Sequence, residues 1–92
     1  AAQIENLSLK EIPARLASYL IYLSEEQGTD DAVTLNISKG QLASLLGTIP
    51  ETLSRIFAKL SGQNLIRVEG PKIIFMDRDG IESLAEYPRD DA

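Results

Sequence analysis

The sequence predicts a mainly helical α+β domain, and three observations carry this prediction. Apolar residues recur three or four positions apart in three separate segments, which is the spacing of one helix face. Two short segments rich in Ile and Val flank Gly70-Pro71, which is typical of a hairpin of two strands. With 92 residues and 43% hydrophobic composition, the chain can fill one modest core, and it is too short for a second.

The first helix is predicted from an apolar stripe that ends before Gly28. The stripe consists of Leu9, Ile12, Leu16, Leu20 and Leu23. Ser8 and Glu11 form a capping box that would start the helix. Pro13 instead favours a kinked first turn or a start near Ile12, because proline lacks a backbone N–H.

A short strand and a short helix follow a polar, acidic loop. Apolar and polar residues alternate over residues 33–37, which predicts the strand. Ser38 and Gln41 form a second capping box, so a helix should begin there and stop at Gly47. The side chains expected to be buried by this helix are Leu42, Leu45 and Leu46.

A second helix is predicted directly afterwards, over about residues 50–63. Two starts fit the sequence. Thr48 and Glu51 could form a capping box, or Pro50 could take the first helical position with Ile49 as the cap. The apolar face expected to be buried consists of Leu53, Ile56, Phe57 and Leu60.

The remaining sequence predicts a hairpin and a last short helix. The segments "LIRVE" and "KIIFM" form the two strands, and Asp77 is placed to cap the helix. Two short helices joined by a glycine-containing turn and followed by a hairpin indicate a winged helix-turn-helix, with a three-helix core and a small antiparallel wing. We assign this domain to residues 8–86, after the end of an upstream helix or a linker at 1–7 and before a polar tail at 87–92.

The net charge of −5 is unevenly distributed along the chain. Residues 36–75 carry five basic residues against two acidic ones, a net charge of +3. Residues 1–35 and 76–92 each carry two basic residues against six acidic ones, a net charge of −4. A basic centre between acidic flanks favours an anionic partner, and chance scatter of solvated charges is the alternative.

The second helix of the predicted pair places Glu51, Ser54 and Arg55 near its N-terminus on one exposed face. Arginine can donate two hydrogen bonds to a guanine edge, glutamate can accept one from the cytosine amino group, and serine can pair with several bases. These three are the candidate base-reading residues. The alternative is an ordinary surface helix in which Glu51 and Arg55 form an ion pair one turn apart.

Candidate phosphate contacts lie on the same two helices and the hairpin. Ser38 and Lys39 start the first helix of the pair, where backbone N–H groups and the helix dipole favour a phosphate. The other basic residues that could reach a nucleic-acid backbone are Lys59, Arg67 and Lys72.

The composition argues against an enzyme or a metal site. The chain has no Cys and no His, which removes the usual zinc ligands and the usual general base. We therefore expect no cofactor in this domain. No apolar run approaches the roughly 18 residues of a membrane span, and the lack of cysteine fits a cytoplasmic protein. A winged helix that binds another protein is the alternative to nucleic-acid binding.

Three segments resemble the C-terminal winged-helix domain of the Crp/Fnr bacterial transcription regulators: "LSLKEIPARLASYLIYL", "ISKGQLASLLGTIPETLSRIFAKLSGQNLI" and "VEGPKIIFMD". The resemblance covers nearly the whole chain and implies sequence-specific binding of double-stranded DNA. It places Glu51, Ser54 and Arg55 at the base-reading positions of the fumarate-and-nitrate-reduction type, which reads a TTGA-containing half-site of a palindrome. Pro50 stands where cyclic-AMP receptor types usually have an arginine.

The resemblance also implies phosphate contacts and partners. The matching phosphate-contact positions are Ser38, Lys39 and Thr52. At the wing tip the family often has a lysine directly after the glycine, whereas Pro71 separates Gly70 from Lys72 here. A sensor domain and a long dimerisation helix precede this domain in the family, and "AAQIENL" resembles the last turns of that helix. We therefore expect a homodimer in the full-length protein, an effector that the sequence does not identify, and RNA polymerase as a candidate partner. The opening of the sequence also resembles that of nitric-oxide-responsive regulators of denitrification.

Overall fold

A computed structural model describes the backbone of residues 2–86 and the side chains of residues 11–85. Within these residues the chain forms four helices and three short strands, which confirms the predicted α+β class. The elements in chain order are α1 (Ala2–Gln27), β1 (Ala32–Thr34), α2 (Lys39–Leu46), α3 (Pro50–Gly62), β2 (Ile66–Glu69), β3 (Lys72–Phe75) and α4 (Arg78–Glu86). The polar tail predicted at 87–92 lies outside the described residues.

Helix α1 is one continuous helix, so the predicted start at Ser8 and the alternative start near Ile12 are both wrong. A capping box requires extended backbone at the serine, and the backbone there is helical because the preceding residues include good helix formers such as Ala, Gln and Glu. Pro13 lies inside the helix. It removes one backbone hydrogen bond. Its neighbours Ile12 and Ala14 are buried in the core, and their packing keeps the segment helical despite this loss. The domain boundary at residue 8 remains a prediction.

The three strands form one antiparallel sheet in the order β1-β3-β2. Ile73 in the central strand pairs with Val33 on one side and with Val68 on the other. Strand β1 is shorter than predicted. The backbone N–H of Leu35 still donates to the carbonyl of Pro71 in the hairpin turn, but proline has no N–H to return a hydrogen bond, so the pairing stops there. The sheet also contains the predicted wing, with β2 and β3 joined at Gly70-Pro71.

The outer edge of β1 is closed by a side chain of α1. The Gln27 amide nitrogen donates to the Thr34 carbonyl at 2.8 Å, and its Oε1 accepts the Thr34 backbone N–H at 3.0 Å. One amide thus satisfies both backbone groups of an edge residue, as a neighbouring strand would.

The core lies between α1, the two central helices and one face of the sheet. Its most deeply buried aliphatic side chains, each less than 2% exposed, are Ile12, Leu16, Leu20, Val33, Leu42, Leu53, Ile73 and Ile81. Each fully buried side chain of this size stabilises the fold by about 1.5–3 kcal/mol. The four predicted core positions of α3 are all buried, which confirms the assigned face.

One core assignment in α2 is wrong, since Leu45 is 61% exposed and Ala43 is buried in its place. Successive helical residues are about 100° apart around the axis. The buried face is centred between Leu42, Ala43 and Leu46, and Leu45 therefore points roughly 100° away from that centre.

Helix α4 is attached to the end of α1 through Arg78. Its Nη1 donates to the Ser24 hydroxyl at 3.1 Å and to the Asp30 carbonyl at 3.0 Å, while its Nε donates to Glu82 at 3.0 Å. The guanidinium carbon also lies 5.6 Å from the ring centroid of Phe75. The buried Ser24 hydroxyl donates a hydrogen bond to the Ile21 carbonyl. It thus acts both as a donor and as an acceptor.

Candidate nucleic-acid interface

Helix α2 begins and ends as its sequence predicts. The Ser38 hydroxyl accepts the Gln41 backbone N–H at 3.0 Å, and Gln41 Oε1 accepts the Ser38 backbone N–H at 3.0 Å. Gly47 ends the helix with φ of 89°, a left-handed conformation that favours glycine. The Thr48 N–H then donates to the Ala43 carbonyl at 2.8 Å, which closes the turn.

The turn is tied to α1 by Arg15, a contact that the sequence reasoning missed. Nη1 of Arg15 donates to the Leu46 carbonyl at 3.1 Å, and Nη2 donates to Glu11 at 3.2 Å. A methyl group at Gly47 would lie 3.3 Å from Nη1. The guanidinium therefore satisfies the C-terminus of α2 and fixes the point from which α3 departs.

Helix α3 begins at Pro50 with Ile49 as the cap residue, which settles the two alternative starts. Ile49 is extended, with φ of −113° and ψ of 159°, as a residue before proline prefers. The Thr48–Glu51 capping box is therefore wrong, because the Thr48 N–H belongs to the turn and the helix starts two residues later. No side chain caps this end of α3.

The three predicted base-reading residues lie together on the exposed face of α3. Glu51 and Arg55 have 70% and 78% of their side-chain surface exposed, and Ser54 between them is exposed as well. Nη2 of Arg55 donates to Glu51 Oε2 at 3.2 Å. The surface ion pair considered as an alternative is thus present, and both charged groups remain open to solvent.

The predicted phosphate contacts are divided between the helix pair and the hairpin. Lys39 at the start of α2 lies over α3, with its Nζ 5.6 Å from the ring centroid of Phe57. Thr52 is partly exposed, and Lys59 on α3 and Lys72 on β3 are exposed. Among the side chains of residues 11–85, no carboxylate lies within ion-pair distance of these three lysines.

Arg67 differs from the lysines, because its Nε lies 3.0 Å from Glu69 on the same strand. The carboxylate therefore partly neutralises the positive charge that Arg67 could offer to a phosphate. The basic central segment predicted from the sequence consists in the structure of α2, α3 and the hairpin, and its uncompensated charge lies mostly on lysines.

Within residues 2–86 no helix combines the length and the apolarity that crossing a bilayer requires. In the same part of the chain no group of three acidic side chains is arranged to hold a metal ion.

Comparison with known proteins gives a consistent result. A family model described as the Crp-like helix-turn-helix domain matches residues 14–84. The probable transcriptional regulator flp of Lacticaseibacillus casei is 36% identical over 74 residues, covering 80% of this chain and 33% of that protein. The transcriptional activator protein FnrA of Stutzerimonas stutzeri is 30% identical over 83 residues, covering 86% of this chain and 34% of that protein.

The solved structures show the same fold. A crystal structure of DNR from Pseudomonas aeruginosa superposes with a TM-score of 0.78 at 33% identity, covering 90% of this chain and 37% of that one. The chain spans about a third of the length of flp and of FnrA.

Proposed function

This chain belongs to the family of Crp-like helix-turn-helix domains, and we propose that it is the sequence-specific DNA-binding domain of a bacterial transcription regulator. One observation carries the proposal: Glu51 and Arg55 lie one turn apart on α3 and are largely exposed, while the opposite face of that helix is buried. A helix in this arrangement can enter a major groove about 12 Å wide without loss of its core contacts.

The ion pair on α3 supports base reading by Arg55. It uses only Nη2 of the guanidinium, and an arginine has five N–H donors in a fixed plane. The remaining donors can form the bidentate contact with guanine O6 and N7, while Glu51 orients the guanidinium and keeps one oxygen for a cytosine amino group. Ser54 lies between them and can pair with several bases.

We propose a TTGA-type half-site and the fumarate-and-nitrate-reduction type within the family. The supporting features are the Glu51, Ser54 and Arg55 set, and Pro50 in place of the arginine of cyclic-AMP receptor types. FnrA and DNR are among the proteins to which this chain is similar. An affiliation with nitric-oxide-responsive regulators is part of the same proposal.

The whole protein is proposed to be a cytoplasmic homodimer that binds a palindrome, with a sensor of unidentified effector and RNA polymerase as a candidate partner. Two copies of α3 would then lie about 34 Å apart, one in each half-site. A single domain contacts one half-site and lacks the gain from linked binding. We therefore expect weak DNA affinity for this chain alone, in the micromolar range at moderate salt.

The proposal is tested by fluorescence anisotropy on a duplex with TTGA half-sites and on a scrambled duplex. Arg55→Ala should weaken binding to the first duplex by about 1–3 kcal/mol, roughly fivefold to 150-fold, because it removes a bidentate base contact. It should also lose discrimination at one base pair.

The matched comparison is Lys39→Ala, which removes a positive charge that we assign to a phosphate contact. This variant should weaken binding to both duplexes equally and reduce the slope of log affinity against log salt by about 1. Unchanged discrimination in Arg55→Ala, or an unmodified chain that binds both duplexes equally, would contradict the proposed function.

A further inference from the structure

Ile49 is an exposed apolar residue directly before the N-terminus of α3, the helix that reads DNA in the proposed function. It is 57% exposed, although the cap position that it occupies is one where Ser, Thr, Asp and Asn are strongly preferred. Its side chain makes no capping hydrogen bond. The side chain therefore contributes little to the helix that follows it, and more than half of the surface of Ile49 is exposed.

The backbone holds Ile49 in a defined position. Its carbonyl accepts the Leu53 N–H at 3.0 Å, which is the first hydrogen bond of α3. On its other side the Thr48 N–H is bound to α2, and Pro50 restricts Ile49 to extended backbone. The side chain is thus presented from a rigid point two residues before Glu51.

The location distinguishes Ile49 from the other exposed large apolar side chains within residues 11–85, which are Tyr22, Leu45 and Met76. Tyr22 and Leu45 line a shared groove of about 460 Å³ between α1 and α2, and Met76 follows the hairpin. Ile49 alone of these four lies at the N-terminus of α3, the end whose residues contact base edges in helix-turn-helix proteins.

We propose that Ile49 contacts the C5-methyl group of a thymine beside the base pairs read by Glu51, Ser54 and Arg55, and so is a further specificity-determining residue. This inference rests on the proposed function. The major groove presents the thymine methyl as its apolar group, and an apolar side chain recognises it by contact. An exposed isoleucine at the entering end of the helix can bury apolar surface against this methyl group, which the other bases do not present.

Deoxyuridine tests the proposal, because it differs from thymidine only in lacking this methyl group. Binding of the unmodified chain is measured on duplexes in which each thymine of the TTGA half-sites and their flanks is replaced in turn by deoxyuridine. At one position the replacement should weaken binding about fourfold, the effect of one buried methyl group. The matched variant is Ile49→Ser, which supplies a preferred cap residue, so α3 remains folded.

In Ile49→Ser the affinity for the thymine duplex should fall to that for the deoxyuridine duplex, and the ratio between the two should approach one. The control is Leu45→Ser, which removes an equally exposed leucine on α2 and should keep the fourfold ratio. If no thymine is sensitive, or if Ile49→Ser keeps the sensitivity while TTGA duplexes are still preferred, this inference is wrong and the proposed function stands. If the unmodified chain prefers no TTGA duplex, both are wrong.

Discussion

The same charged pair, an arginine and a glutamate one helical turn apart, serves different ends in two regions of this domain. On α4, Arg78 pairs with Glu82 at 3.0 Å and is 27% exposed. On α3, Arg55 pairs with Glu51 at 3.2 Å and is 78% exposed. Arg78 also donates to α1 and to the following loop, whereas the hydrogen bond described for Arg55 is the one within its own helix.

The difference shows that spacing alone does not reveal what an arginine does. A guanidinium that is mostly buried and bonded to distant backbone holds elements together. One that is exposed and bonded only to its own helix retains donors for a ligand. Arg15 lies between the two, because it is 55% exposed and has one bond to a distant carbonyl. The three arginines therefore form a graded series. Replacing the arginine should reduce stability less as its side chain becomes more exposed and keeps more donors free for a ligand.

The largest effect on stability is expected at Arg78. Arg78→Met keeps the apolar stem but leaves the Asp30 carbonyl and the buried Ser24 hydroxyl without their charged donor. Hydrogen bonds to charged groups contribute about 1.5–3 kcal/mol, so the free energy of unfolding should fall by about that amount in a urea titration. Arg78→Lys should give an intermediate loss, since an ammonium lacks the planar fork. A loss below about 0.5 kcal/mol would place Arg78 with the surface pairs.

A smaller effect is expected at Arg15. Arg15→Met removes the donor to the Leu46 carbonyl, but water can reach this partly exposed site and replace it in part. We expect the free energy of unfolding to fall by about 0.5–1.5 kcal/mol. The matched control is Arg67→Met, in which an exposed pair with Glu69 is lost on the hairpin and the change should stay below about 0.5 kcal/mol. Equal losses in the two variants would show that the Leu46 contact contributes nothing to the turn.

The local signals in the sequence predicted the central elements well. The Ser38–Gln41 box, the stop at Gly47 and the buried face of α3 depend on residues a few positions apart, so each is visible in a short window. The exposure of Glu51 and Arg55 follows from that buried face.

The long-range features left no such signal. Arg15 and Arg78 bind backbone carbonyls 31 and 48 residues away, and any residue type supplies a carbonyl. The sequence alone does not show that Leu45 lies outside the core, because four of the eight residues of α2 are apolar, and this pattern fits more than one rotation of the buried face. The Ser8–Glu11 pattern does not start α1, because a capping-box pattern also occurs inside helices, where the backbone has no free N–H group for the serine to cap.

The smallest effect on stability is expected for the pair on α3. A double-mutant cycle with Glu51→Ala and Arg55→Ala should give a coupling energy of about 0.3–0.5 kcal/mol in the free energy of unfolding. In 1 M salt, where the Debye length is about 3 Å, the coupling should nearly vanish. A coupling above about 1 kcal/mol would assign the pair a structural role like that of Arg78. A small coupling, together with a large loss of discrimination in Arg55→Ala, would place the function of this arginine in DNA recognition. If the fold needed the residue, its removal would reduce stability and discrimination together.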